Sequence, residues 1–163
     1  YYVFGISYEF FASLIIAGLV FIIFISDFKY MIILDSPLII SGIFILILRA
    51  YFYGFKNMGI SLFSGLVLFL LMLFIGFIGK RIFKRDALGG GDIKLAAVIG
   101  IILGFRLGLV SIILSSLLAL PYAAGAMMLN KDSEVPFGPF LIASMAIVFI
   151  FAEKFSNLIA FLF

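Results

Sequence analysis

The chain has 163 residues, 66% of them hydrophobic and 12% charged, with a net charge of +3 and a mean hydropathy of +1.40. A soluble domain is about half apolar and a quarter charged, so this composition excludes one: only lipid can cover so much Phe, Ile and Leu. The chain contains neither Cys nor His, which excludes thiol nucleophiles, disulfides, Cys or His metal sites and Ser-His-Asp relays.

Uncharged runs mark the expected spans, each needing about 20 apolar residues. The first covers 10–26 and is ended by Asp27. The second begins at Asp35-Ser36-Pro37, where a capping Asp and a Pro in the first turn form a start signal. It runs to about Tyr53, with Arg49 near enough its end to snorkel. The third, 57–79, is long enough to cross with tilt. The fourth, 95–105, reaches sufficient length only if its helix begins near Gly90. The fifth, 107–130, carries Pro121, which is expected to kink it or free carbonyls. The sixth starts near Pro139 and reaches Ala152, with a continuation past Glu153 and Lys154 to Phe163 open to it. The expected fold is all-α: a polytopic membrane protein of about six transmembrane helices, in a single domain over 1–163.

Six spans place the connections 27–35, 80–92 and 130–138 on one side. Lys29, Lys80, Arg81, Lys84, Arg85 and Lys131 lie there, with Lys94 just beyond, against Arg49, Lys56, Arg106 and Lys154 opposite. The excess places the first set in the cytoplasm and both termini outside. Asp27, Asp35, Asp86, Asp92, Asp132 and Glu134 fall on the same cytoplasmic side. Carboxylates at the ends of membrane helices are costly when buried, which makes them functional candidates.

Asp27 closes the first span and Asp92 opens the fourth, so both belong to one membrane face. Two carboxylates held close together do not both ionise easily, and such a pair shares a proton. One member then takes a proton from water while the other polarises an amide carbonyl, a chemistry that needs neither Cys nor His. Taken singly, the same residues have plainer uses. Asp27 reads as an interfacial helix terminator, Asp92 as a cap for the fourth helix and Asp35 as a cap for the second. Gly89-Gly90-Gly91 lacks the Gly-Lys-Ser/Thr ending of a phosphate loop; its use is close backbone approach.

Three motifs in order change the weighing. Asp27-Phe28-Lys29 followed by Ile33-Leu34-Asp35 resembles the first aspartate motif of the type IV prepilin peptidases, with Leu34 where Pro is usual. Leu88-Gly89-Gly90-Gly91-Asp92-Ile93-Lys94-Leu95 resembles that family's Gly-x-Gly-Asp signature. Val135-Pro136-Phe137-Gly138-Pro139-Phe140 is similar to its Pro-Phe-Gly-Pro segment, and Phe4-Gly5-Ile6-Ser7 to a short stretch leading into its first catalytic helix. The resemblance implies a membrane aspartic endopeptidase of the cytoplasmic (inner) membrane. It would remove the basic cytoplasmic leader of type IV prepilins or pseudopilins, in pilus assembly and type II secretion.

By carry-over, Asp27 and Asp92 are the catalytic pair. Gly89 and Gly91 shape the site, Lys94 lies beside it, Asp35 holds a motif position, and Pro136 and Gly138 belong to the substrate surround. The implied partners are the prepilin substrate and membrane lipid, with no cofactor, no metal and no nucleic acid. Ser61, Ser64 and Gly65, with Ala123, Ala124 and Gly125, are candidate places for the substrate's apolar stem, or ordinary packing positions. Lys80 to Arg85 reads as a lipid-headgroup anchor.

Members of the bacterial branch commonly carry a Cys-rich zinc segment linked to N-methylation of the new terminus. With zero Cys, peptidase chemistry is expected here without the methyltransferase half. Either a preceding segment has been removed or this is a short, single-activity form. Two alternatives stand beside this reading. One is an archaeal-type preflagellin peptidase or a presenilin-like enzyme, the latter opposed by Ser26-Asp27 where Tyr-Asp is usual. The other is a small proton-coupled transporter subunit, opposed by the lack of ionisable residues near the membrane midplane.

Overall fold

A computed structural model describes residues 7–84, 88–128 and 136–162 of the chain. Its elements are α1 (Tyr8–Tyr30), α2 (Asp35–Phe83), α3 (Gly90–Met128), α4 (Gly138–Ile150) and α5 (Ala152–Leu162), with no strand among the described residues. The first three are long and apolar enough to cross a bilayer. The pair α4 and α5, bent by 83°, supplies a fourth span if taken as one. The protein is thus an all-α, multi-pass membrane protein. Asp86, Lys131, Asp132, Glu134, Val135 and the stretch Phe4 to Ile6 lie outside the described residues.

Five elements appear where six spans were expected because α2 and α3 each join two spans through a sharp break, while the last span is divided into α4 and α5. Gly54 (φ 82°, ψ 166°) divides α2, and Gly104 (φ 80°, ψ 176°) divides α3. Without a Cβ, glycine takes positive φ at no steric cost. The breaks fall beside Tyr53 and Phe105, where the second and fourth spans were expected to end. The helix carrying Asp92 does begin at Gly90. By contrast, α3 runs on as helix through Pro121. The last helix does not continue straight past Glu153, since the chain turns at Phe151.

α3 is the central element, packed against α2 along one side and α4 along the other, with α1 against α4 and α2. The crossing of α2 and α3 is a backbone contact. A Cβ built on Gly100 would lie 2.7 Å from the Cα of Gly65 and 2.7 Å from the carbonyl oxygen of Ser64. Small residues permit this approach, and close packing is what drives helix association in lipid. Ser61 and Ser64 are buried, and Ser64 and Gly65 lie at this crossing. Ala124 is exposed and Gly125 has open space around it. Between α3 and α4, the hydroxyls of Ser111 and Ser144 meet at 3.1 Å.

Arg49 is half-buried and bonded within the bundle. Its Nη2 donates to the carbonyl of Ile102 at 2.6 Å, beside the Gly104 break, where the helical hydrogen-bond ladder is interrupted. Its Nε donates to the Tyr8 hydroxyl at 3.1 Å, and the guanidinium lies 5.2 Å from the centre of the Tyr8 ring. The Tyr53 hydroxyl donates to Glu9 at 2.8 Å. α1, α2 and α3 are thereby tied at the bundle end opposite Asp27, about 28 Å away along α1 at 1.5 Å per residue.

Candidate active site

Asp27 does not terminate its helix. α1 continues one turn further to Tyr30 and ends at Met31, whose φ of 52° is left-handed and whose N–H donates to the carbonyl of Asp27 at 3.0 Å. Asp27 therefore sits inside the last turn, 6% exposed. The helix tolerates the carboxyl there because a neighbour satisfies it: the Gly138 N–H donates to Asp27 Oδ2 at 3.1 Å. Gly138 is the first residue of α4, whose N-cap, Phe137, offers no side-chain acceptor. The first N–H groups of a helix have no partner within it, and here one is met by a carboxylate from another helix.

Asp92 lies in the first turn of α3 and is 8% exposed. The Gly89 carbonyl starts the helix by accepting from the N–H of Asp92 (3.1 Å) and of Ile93 (3.4 Å). A Cβ on Gly89 would stand 2.9 Å from Asp92 Oδ2, so a side chain there would displace that carboxyl. The other oxygen, Oδ1, is buried and has no hydrogen-bond partner. Buried polar atoms are nearly always satisfied, so this carboxyl oxygen is an exception in the bundle.

The two aspartates converge. Asp27 is within electrostatic range of Asp92, and one side chain touches the support of each. A Cβ on Gly91 would lie 2.7 Å from Ile33 Cβ, and one on Gly138 would lie 2.9 Å from Ile33 Cδ1 and 2.7 Å from Asp27 Oδ2. Gly91 and Gly138 are thus close-approach glycines from two helices meeting around one isoleucine. Nothing in the sequence singled out Ile33 beyond its place in the first motif.

Lys94 and Asp35, both named from the sequence, also meet. Lys94 Nζ donates to Asp35 Oδ1 at 2.8 Å and to Oδ2 at 2.7 Å, with both side chains about half exposed. The carboxylate of Asp35 is directed at α3 instead of capping α2, whose N-cap is Leu34 with no side-chain bond. Below this ion pair an apolar groove of about 300 Å³ runs between α2 and α3, lined by Leu38, Gly42, Leu46, Phe69, Val98 and Ile101 among others. A second cleft, about 440 Å³, is lined by Ile22, Ile25, Ser26, Tyr30, Ile32 and Leu34. Pro136 is buried at the mouth of α4. Among the described residues no group of three or more Asp, Glu, His or Cys is placed to hold a metal ion.

Residues 14–124 match the type IV leader peptidase family. The chain belongs to this family. Two relatives are each a prepilin leader peptidase/N-methyltransferase. The one from Bacillus subtilis (strain 168) is 29% identical over 154 residues, covering 93% of this chain and 60% of the relative. The one from Vibrio cholerae serotype O1 (strain ATCC 39315 / El Tor Inaba N16961) is 32% identical over 156 residues, covering 90% of this chain and 59% of the relative. This leader peptidase family member therefore spans about three fifths of the length of those relatives. No solved structure matches the chain. The matched region holds Asp27, Asp35, Gly89, Gly91, Asp92 and Lys94, while Pro136 and Gly138 lie beyond it.

Proposed function

We propose that this chain is a membrane aspartic endopeptidase that removes the cytoplasmic leader of a type IV prepilin or pseudopilin, with Asp27 and Asp92 as its catalytic pair. The observation that carries the reading is their shared burial. An apolar bundle end retains two carboxyls, each more than nine-tenths covered, on separate helices and within range of one another. Burying such groups is costly, and a membrane protein without a use for them has no reason to keep them.

The reaction follows from a pair that holds one proton. The ionised carboxylate takes a proton from a water molecule as its oxygen attacks the scissile carbonyl carbon. The protonated partner gives its proton to the carbonyl oxygen, forming a neutral tetrahedral diol. Collapse breaks the C–N bond. The leaving nitrogen receives the proton held by the first carboxyl, the diol returns its proton to the second, and the pair is restored. The apolar groove beneath Asp35 and Lys94 and the cleft lined by Ser26 and Tyr30 suit an apolar helical stem entering from the bilayer. The site belongs at the cytoplasmic face of the inner membrane, because Lys80, Arg81 and Lys84 mark that end of α2. N-methylation is not part of the proposal. The chain has no Cys or His to hold a zinc ion, so the residues present do not fit such a site.

The test is cleavage of a leader-bearing prepilin by the chain in liposomes, compared with Asp27→Asn and Asp92→Asn. Each substitution is expected to lower the rate by about 10²–10⁴-fold, the usual contribution of a positioned acid or base. A folded variant of either kind that cleaves at the parent rate would remove the pair from the mechanism.

A further inference from the structure

The connection between α1 and α2 is only four residues long, Met31 to Leu34, and both of its ends are pinned. At the start, the left-handed Met31 returns its N–H to the carbonyl of Asp27 itself. Just past the end, Asp35 is paired through both oxygens with Lys94, two residues beyond Asp92. The strap is therefore fastened at one end to the backbone that carries one aspartate and at the other to the first turns of the helix that carries the other.

Ile33 is the residue this strap turns inward. It is half-buried against the core cluster while Met31, Ile32 and Leu34 around it are exposed. Its Cβ approaches Gly91, the neighbour of Asp92, and its Cδ1 approaches Gly138, whose N–H holds Asp27. We propose that Ile33 is a positioning residue: wedged against Gly91 and Gly138, it fixes the spacing and mutual orientation of Asp27 and Asp92. This rests on the reading of that pair as catalytic. It also accounts for the two glycines, since a side chain at either position would collide with Ile33 and shift the turn that bears an aspartate.

The wedge makes a graded expectation. Ile33→Val removes Cδ1, the atom near Gly138, and keeps the Cβ that meets Gly91. Ile33→Ala removes everything beyond Cβ. A displacement of about 1 Å in a catalytic constellation costs on the order of 10²-fold in rate. Ile33→Ala is therefore expected to lower kcat by roughly 10²-fold with KM within about twofold of the parent, and Ile33→Val by roughly 10-fold. If the separation of the carboxyls changes, so does their coupling, and the interval between the acid and alkaline limbs of the kcat/KM profile moves in Ile33→Ala, widening if the carboxyls approach and narrowing if they part. A side chain that only stabilised the fold would leave that interval unchanged.

A second measurement does not depend on cleavage. The chain has no Cys, so Phe28→Cys and Gly90→Cys place two unique spin labels at exposed neighbours of the aspartates. Their dipolar spectrum is expected to give one narrow distance with Ile33 and a broad distribution with Ile33→Ala. An unchanged distance distribution in Ile33→Ala would overturn the proposal whether or not the parent cleaves prepilin. A rise in KM alone, with kcat and the limb interval preserved, would also overturn it and make Ile33 a substrate contact. Failure of the parent to cleave, with the distances behaving as expected, would defeat the peptidase reading and leave the wedge standing.

Discussion

An aspartate in an apolar bundle end needs either a partner or a task, and Asp27 and Asp92 differ in how far partners satisfy them. Asp27 accepts the Gly138 N–H, whereas Asp92 Oδ1 has no hydrogen bond. A pair that works by sharing one proton imposes a pH dependence with a definite sign on both limbs. At low pH both carboxyls are protonated and neither can take a proton from water. At high pH both are ionised and neither can donate to the carbonyl oxygen. The profile of kcat/KM is therefore expected to be bell-shaped, each limb falling with unit slope, and its two apparent constants belong to the pair and not to either residue. Initial rates across the pH range on liposome-held chain check this, and a profile with a single limb would point to one working carboxyl. The residues of this site were readable from sequence to the extent that motif spacing carried them. Gly89, Gly91, Asp92 and Lys94 fall in one short run, and Asp27 and Asp35 in another. Ile33 was not readable as a wedge, because its role exists only through space. An isoleucine in an apolar chain carries no mark, and its partners Gly91 and Gly138 come from helices far along the sequence. The capping role read for Asp35 failed for the same reason: Lys94 competes for its carboxylate across the fold.

At the scale of the elements, the uncharged runs located the helices because charge is what lipid refuses, but glycine gave no usable punctuation. Gly54 and Gly104 break their helices at positive φ, while Gly59 and Gly65 lie in continuous helix, and nothing local in the sequence separates the two kinds. The break at Gly104 belongs with a tertiary donor, Arg49, and the turn at Phe151 is where α4 ends. Helix glycines can nevertheless be told apart once the crossing is known, and this gives a paired prediction. A Cβ on Gly100 meets the backbone of Gly65 and Ser64 at 2.7 Å, and backbone cannot step aside as a flexible side chain would. Gly100→Ala is therefore expected to destabilise by about 1–3 kcal/mol through overpacking of the α2 and α3 crossing. Gly59 has nothing within 4 Å of its Cβ position, so Gly59→Ala removes only the entropic cost of glycine and is expected to stabilise by roughly 0.5–1 kcal/mol. Thermal unfolding in detergent should move the two midpoints in opposite directions. Equal shifts would mean that α2 and α3 do not cross through backbone contact.

Taken as a whole, the molecule is polar at its two ends in different ways. The end bearing Asp27 and Asp92 also bears Lys80, Arg81 and Lys84 on the last turns of α2 and Lys94 near the start of α3. The opposite end holds the Arg49 clamp, with its charge turned inward onto Tyr8 and the Ile102 carbonyl. Exposed Lys and Arg close to a helix end are retained in the cytoplasm. The expected outcome is a topology with the aspartate end inside. The chain has no Cys, so one introduced thiol reports alone. Phe55→Cys, at an exposed position beside the Gly54 break, should react with a membrane-impermeant maleimide added to intact cells. Lys84→Cys, exposed at the other end of the same element, should react only after the membrane is opened. The reverse pattern would put Asp27 and Asp92 on the far side from any cytoplasmic leader, and no adjustment of the site geometry could then let this chain cut one.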